Sequence, residues 1–515
     1  MAKNKRIKNK RSRNGRTKNK RGKNRRGKNT QANNEIANSE GTSTDASNNE
    51  QLWNESKQNI VDVKWSKNIH ENALLNTGIP LEENGWVSPG IPTKWISDSS
   101  FKKQKNTTLL TYSFMTTKSK LDYGDDRRET IVPYANFSEK QQNDIAKLFE
   151  SLSDYANIRF IKVPDTNTVG TIRIGFNTIT DEAGKWRPGI YATADTPKPE
   201  PRGGDIWFNK NFTKDNFSTG LVENVGPATP SAVMLHEILH ALGLEHPDNP
   251  KRVTPKFARN REYTLMADEF SHRAEFTQYF KDNGKIASSL AEFDRSEMKE
   301  RKNYGVSSTP MTWDIAGLQY LYGANTNFQR GNTIYKYSNT IPFYETIWDA
   351  SGIDTINLSN FKKDLAINLN GGQLSTLSFD VADQSWSDKQ HGNLGIAFNT
   401  VIENGIGGSG NDSIIGNAAN NTLKGNAGND TLSGNDGIDV LIGGSGQDIF
   451  KLQQGKGHAI IQDFNSGIDK ILLQQSSGVK LISVNAGIEI NQNNDLIAIV
   501  QNYEGRLNQS GVNII

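Results

Sequence analysis

From Gly407 to Lys451 the chain reads GGSGNDSII, GNAANNTLK, GNAGNDTLS, GNDGIDVLI and GGSGQDIFK, five nine-residue units in unbroken register. Position six holds Asp412, Asn421, Asp430, Asp439 and Asp448, and position eight holds Ile414, Leu423, Leu432, Leu441 and Phe450. A period that fixes both a polar and an apolar side chain argues against a flexible Gly/Asn linker. The string Gly405, Gly407, Gly410 matches GxGxxG, but it follows no clear strand and opens no helix, so dinucleotide binding is rejected.

The unit resembles the G-G-x-G-x-D-x-U-x repeat of calcium-binding parallel β-rolls, the RTX type. The resemblance implies that Gly408, Gly410, Gly428 and Gly446 turn the chain so that carbonyls and Asp412, Asp430, Asp439 and Asp448 face calcium, a hard cation that prefers oxygen ligands. The position-eight side chains would fill a narrow core, and because one coil of such a roll consumes two units, Asp412, Asp430 and Asp448 would share one stack and Asn421 and Asp439 the other. Asn421 removes a formal charge from its stack and Ala419 replaces a turn glycine, so calcium should bind more weakly on that side.

The segment Thr229 to Pro247 reads TPSAVMLHEILHALGLEHP. Thr229 can cap a helix that begins with Pro230, and Leu235, Ile238, Leu239 and Leu242 give it an apolar side. His236 and His240, four apart, project from one face at a separation that suits two ligands on one small cation. Gly243 lets the chain leave the helix with φ > 0 and return His246 toward the same point. Three imidazoles leave zinc an open position for water, and Glu237 beside the first ligand can accept the proton of that water.

HEILHALGLEHP resembles the HExxHxxGxxH signature of metzincin metallopeptidases, and the following Pro247 is typical of the serralysin branch. Tyr263-Thr264-Leu265-Met266 fits the methionine turn of that family, with Met266 beneath the zinc. Serralysins usually carry Met-x-Tyr there, whereas this chain has Met266-Ala267-Asp268, and an ionised Asp268 cannot donate a hydrogen bond to an oxyanion. Thr309 to Gly323 resembles the helix that closes the serralysin catalytic domain, and Trp348 to Asp354 resembles the opening of its second domain, with Asp354 as a candidate calcium ligand. Asp463 and Asp469 sit in a stretch similar to the family's closing segment and are candidates of the same kind. The terminal Gly511 to Ile515 looks similar to the uncleaved signal read by a type I secretion exporter.

Ahead of the zinc segment the pattern is mixed. Leu110, Tyr112 and Phe114 alternate as in a half-buried strand, and Ile145, Leu148, Phe149, Leu152 and Ala156 repeat at helical spacing behind a capping box of Ser138 and Gln141. Strands are expected over 158–163, 171–177 and 204–209. The last of these is expected to be an edge strand able to pair with an extended substrate.

Composition sets the remaining bounds. The net charge of +3 hides a split: residues 1–28 carry 15 Lys or Arg, and the other 45 basic residues face all 57 acidic ones, a balance of −12. The Lys/Arg tail has too few apolar side chains to fold, so residues 1–58 are expected to be disordered. They are read either as a segment that binds a polyanion or as a solvated or removable leader. No apolar run is long enough for a membrane span, and with no Cys there are no disulfides or thiolate sites.

The expected organisation is a basic tail (1–58), an N-terminal extension (59–106), an α+β metzincin catalytic domain (107–325), an all-β parallel β-roll (326–475) and a C-terminal segment (476–515). The resemblance implies a secreted, monomeric zinc endopeptidase acting on protein or peptide substrates, stabilised by several calcium ions in place of disulfides. A calcium-dependent surface or adhesive protein with a vestigial zinc site is the alternative reading.

Overall fold

The computed structural model describes residues 60–62, 75, 93–97, 106–119, 132–166, 170–179, 191–198, 202–210, 230–247, 255, 258–267, 275–280, 299–304, 307, 309–380 and 392–515. The basic tail, Thr229 and Asp268 lie outside them, and so do the expectations attached to those residues.

The half expected to be catalytic is built on a five-stranded sheet in the order Ile158–Lys162, Thr108–Phe114, Ile172–Asn177, Asp205–Asn209, Ala192–Ala194. The first four strands are parallel and the last is antiparallel. This corrects the edge assignment. Asp205–Asn209 is buried throughout and paired on both sides, and the edge strand is Ala192–Ala194.

The strand Thr108–Phe114 is also more buried than its alternation predicts. Leu110, Tyr112 and Phe114 face the core, but Thr111 and Ser113 on the other face are buried as well. Thr111 pairs with the hydroxyl of Thr171 at 3.1 Å, and Ser113 donates to Asp165 at 2.8 Å. Asp165 also accepts from Ser119 and, through both oxygens, from Arg173, so a satisfied polar network stands where solvent was expected.

The helix Glu139–Tyr155 forms as its sequence predicts. Ser138 accepts from the amide of Gln141 at 3.2 Å, and the Gln141 side chain accepts from the amide of Ser138 at 2.9 Å. Its apolar stripe, including Ile145, Leu148, Phe149 and Leu152, lies against the sheet, where Phe149 stacks on Tyr112 with centroids 4.4 Å apart.

A second helix, Pro230–Ala241, packs against Ala192–Ala194 and Asp205–Asn209. A third, Thr312–Tyr322, is buried nearly all round because it lies between the catalytic half and the coil that follows. Its Gly317 faces Leu244, and Thr312 faces Gly395 of the second half.

The repeats wind into a coil whose strands alternate between two sheets. One contains Ile334–Tyr335, Thr355–Asn357, Asn404–Ile406, Thr422–Ala427, Gly437–Ser445 and Gly457–Ile461, and the other Ala366–Asn368, Ser413–Ile415, Thr431–Ser433, Ile449–Leu452 and Lys470–Leu473. Each runs parallel in these stretches, and Ser413 pairs with Thr431 and Thr431 with Ile449, so one coil advances by two repeats. All five position-eight side chains are fully buried between the sheets, each contributing about 1.5–3 kcal/mol of burial. Gly410, Gly428 and Gly446 stack at the turns. A Cβ on Gly446 (φ +145°) would stand 1.8 Å from the carbonyl of Gly428, which requires glycine there.

The segment after the repeats belongs to both sheets. Val479–Val484, Gly487–Gln492 and Asp495–Gln501 form an antiparallel meander, whose last strand joins the first sheet by pairing parallel to Gly457–Ile461. Asn513–Ile514 pairs antiparallel with Lys470–Leu473 and closes the second sheet.

Candidate metal centres

The helix Pro230–Ala241 carries His236, Glu237 and His240 on adjacent turns, and Gly243 ends it with φ +110°. The reversal uses hydrogen bonds from Gly243 to the carbonyl of His240 (2.9 Å) and from Leu244 to that of Leu239 (3.0 Å). A side chain at Gly243 would meet the carbonyl of Thr93 at 2.9 Å. The turn brings His246 back, as the spacing predicts. Its Nε2 lies 3.1 Å from Nε2 of His236 and 3.0 Å from Nε2 of His240. The ligand atoms of the three residues lie within 4.8 Å of one another.

The other ring nitrogens fix the tautomers. His236 Nδ1 meets the carbonyl of Leu265 at 2.8 Å, and His240 Nδ1 meets that of Leu244 at 2.8 Å. Each Nδ1 therefore carries the proton and each Nε2 presents a lone pair. A single proton on His246 could satisfy only one of these two lone pairs, whereas one cation satisfies all three nitrogens. A tetrahedral site with Zn–N about 2.0–2.1 Å has ligand separations of roughly 3.3–3.4 Å, near those observed, so the residues fit zinc. Burial pushes the His236 imidazole down to about 3, which keeps it neutral and available as a ligand.

Glu237 is buried at 6% exposure beside the first histidine. Met266 is fully buried in the turn that supplies the Leu265 carbonyl.

Three residues whose roles sequence reasoning passed over hold this centre. Asp314 accepts from the Thr264 hydroxyl at 2.5 Å, from the Leu265 amide at 2.8 Å and from the Met311 amide at 2.9 Å. It is fully buried, and burial pushes its carboxyl up to about 6. The available signal was an acidic residue near the start of an otherwise apolar helix. Trp95 donates from Nε1 to the carbonyl of Ala241 at 2.7 Å, and Tyr322 donates to that of Leu242 at 2.8 Å, so both cap the end of the histidine helix.

The coil carries a second constellation. Asp412, Asp430, Asp448 and Asp469 precede strands in one sheet, and each of the last three accepts through Oδ1 from the amide of the one before, at 2.7, 2.9 and 3.0 Å. Gly408 donates to Asp412 Oδ2 at 2.6 Å. Buried Oδ2 atoms of Asp430, Asp448 and Asp354 meet no donor. Carboxylate oxygens buried without a proton donor fit a hard cation. Burial pushes Asp412 and Asp439 up to about 6 and Asp430 up to about 7.

Asp439 lies in the other sheet and accepts from the Asn421 amide at 2.8 Å. Asp354 lies further along that side, where its amide donates to Glu403 at 2.8 Å. Asp463 is not a rung of either stack but lies beside the Asp448 end of one, where it accepts from the amides of Gly443 and Gly444 at 2.9 and 2.8 Å.

A mixed five-stranded sheet with an antiparallel edge, a helix presenting the histidines and a buried methionine turn define the metzincin type of catalytic domain. A family model described as Matrixin matches residues 104–272, and one described as Peptidase M10 serralysin C terminal matches residues 314–514. The chain is 32% identical to Serralysin of Photorhabdus sp. (strain Az29), over 61% of this chain and 59% of that protein. It is 33% identical to Serralysin B of Dickeya chrysanthemi, over 64% of this chain and 63% of that protein. It thus spans about three fifths of the length of these relatives. The chain belongs to the serralysin-like metzincins.

Proposed function

We propose that this protein is a secreted, calcium-stabilised zinc endopeptidase. The observation that carries the reading is the convergence of the three Nε2 atoms on one point, with the buried Glu237 next to His236 in the helix. His236, His240 and His246 would hold the metal. Zinc bound there supplies a Lewis acid that polarises a peptide carbonyl and makes water more acidic.

The remaining chemistry belongs to the chain itself. Glu237 accepts a proton from the attacking water and returns it to the leaving amine. The edge strand Ala192–Ala194 orients the substrate. The register pairs Thr193 with Trp207, and in an antiparallel ladder the main-chain groups of Ala192 and Ala194 then point outward, free to pair with an extended peptide. Asp268 replaces the tyrosine of related turns, so oxyanion stabilisation here rests on donors other than that side chain. The intact Nδ1 partners of His236 and His240 speak against a vestigial site.

Calcium in the carboxylate stacks supplies the stability that a cysteine-free protein needs outside the cell, since extracellular modules bind it at roughly 10⁻⁴–10⁻³ M. Export through a type I exporter guided by the C-terminal residues, and polyanion binding by the basic tail, complete the proposal. The deciding experiment compares wild type with Glu237→Ala on casein in millimolar calcium. Cleavage by wild type that a zinc chelator stops and the variant lacks is expected, and an inactive but folded wild type would overturn the assignment.

A further inference from the structure

The two stacks of the coil differ in charge at one side chain, Asn421. On one side Asp412, Asp430, Asp448 and Asp469 follow one another in register, while on the other the sequence is Asp354, Glu403, Asn421, Asp439. Within the carboxylate stack an oxygen is left over. Asp430 Oδ2 lies above Gly425, where a Cβ would stand 2.2 Å from it and 2.5 Å from the carbonyl oxygen of Gly443. Two acceptors thus converge on one small space with no donor for Oδ2, and Asp448 Oδ2 is equally without one.

Asn421 resolves the same problem internally. Its Oδ1 accepts from the amide of Asn417 at 2.7 Å, while Nδ2 donates to the carbonyl of Glu403 at 3.0 Å and to Asn417 Oδ1 at 3.1 Å. Asn417 is satisfied in turn: its Nδ2 donates to the carbonyls of Leu369 and Ile402, and its Oδ1 also accepts from Ala419. Reversing the Asn421 amide would set NH₂ against the Asn417 N–H and oxygen against the Glu403 carbonyl, so the network fixes the orientation. Asn421 Oδ1 sits over Gly416 and beside the carbonyl of Gly434 as Asp430 Oδ2 sits over Gly425 and beside that of Gly443, but it has the Asn417 N–H as a donor, and the uncharged NH₂ stands where an aspartate would carry its second oxygen.

We infer that the coil through Asn417 and Asn421 is a metal-independent turn, because Asn421 adds no charge and its oxygen has a donor, whereas the coils at Asp430 and Asp448 require the ion. This rests on the reading of the carboxylate stack as a calcium site. The metal-independent turn precedes the Asp430 and Asp448 turns in sequence and offers a formed edge on which those coils can assemble when calcium arrives.

The test uses the full chain. Calcium stoichiometry is measured by titration calorimetry for wild type and Asn421→Asp, and amide hydrogen exchange is measured on calcium-free wild type. One additional calcium per chain in Asn421→Asp is expected. In the calcium-free protein the amides of Asn417, Ala419 and Thr422 should exchange at least about tenfold more slowly than those of Asp430 and Asp448. Calcium uptake by wild type with no gain in the variant, or equal exchange in the two stretches, would overturn the inference while leaving the calcium site standing. A wild type that takes up no calcium would overturn both. Should Asn421→Asp fail to fold, the exchange comparison decides alone.

Discussion

Asp314 and Thr264 share a 2.5 Å hydrogen bond that fastens the methionine turn to the helix Thr312–Tyr322. The other Asp314 oxygen holds the Leu265 amide, and the Leu265 carbonyl holds His236, so a residue remote from the metal point sets the angle of a ligand. Asp314→Ala should lower zinc affinity by about 10–100-fold, as loss of such supporting groups does. Competition with a chromophoric chelator measures it. An unchanged zinc affinity in folded variant protein would show that the turn is rigid without this carboxylate.

Trp95 lies in the segment that precedes the catalytic sheet, yet its indole caps Ala241. Trp95→Phe keeps most of the packing and leaves that buried carbonyl without its donor, for an expected loss of about 1–3 kcal/mol. Thermal unfolding in excess zinc and calcium reads the change. If Trp95→Phe melts with wild type, the cap is dispensable.

The pair Asp165–Arg173 predicts a pH dependence. Burial opposes ionisation of Asp165, but hydrogen bonds and charge from Arg173, with Ser119 and Ser113, overcome it and hold the carboxyl below its ordinary value. A depressed folded-state value gives stability that is full above about pH 4 and fades as the pH falls through the lowered value. Asp165→Asn leaves Arg173 buried without its partner and should cost about 3–5 kcal/mol at pH 7. Urea denaturation at pH 7 and pH 3 should show the gap between wild type and variant shrinking in acid, and a gap independent of pH refutes the account.

Calcium withdrawal should act unevenly along the coil. Asp430 has carboxylates on both sides in its stack, whereas Asp439 has Asn421 as a neighbour. Asp430→Ala should therefore weaken calcium binding more than Asp439→Ala. Titration of both variants checks this, and equal losses would contradict it.

The parts legible in sequence were those in which one residue type does one local job. The Ser138 and Gln141 cap, the reversal at Gly243 and the histidine spacing each depend on a few neighbouring residues, and each forms as expected. The position-eight core follows from a repeat that restates itself. What stayed hidden depends on partners distant in sequence. The order of strands placed Ala192–Ala194 outside Asp205–Asn209, and periodicity says nothing about that order. Thr111 and Ser113 looked solvent-facing because their buried partners, Thr171 and Asp165, lie more than 50 residues away. Asp314 was missed for the same reason, since its role exists only once the methionine turn folds against it.

The meander Val479–Gln501 and the hairpin at Asn513–Ile514 finish the two sheets of the coil. A stack of parallel strands that simply stopped would leave a flat row of unpaired amides and carbonyls, ready to add a strand from another molecule. Here both sheets turn antiparallel at that end, and the outermost Val479–Val484 exposes Lys480, Ile482 and Ser483 while its other residues are half-buried. The coil is thereby given a defined length, and copies concentrated on a surface can remain separate molecules instead of growing into a fibre.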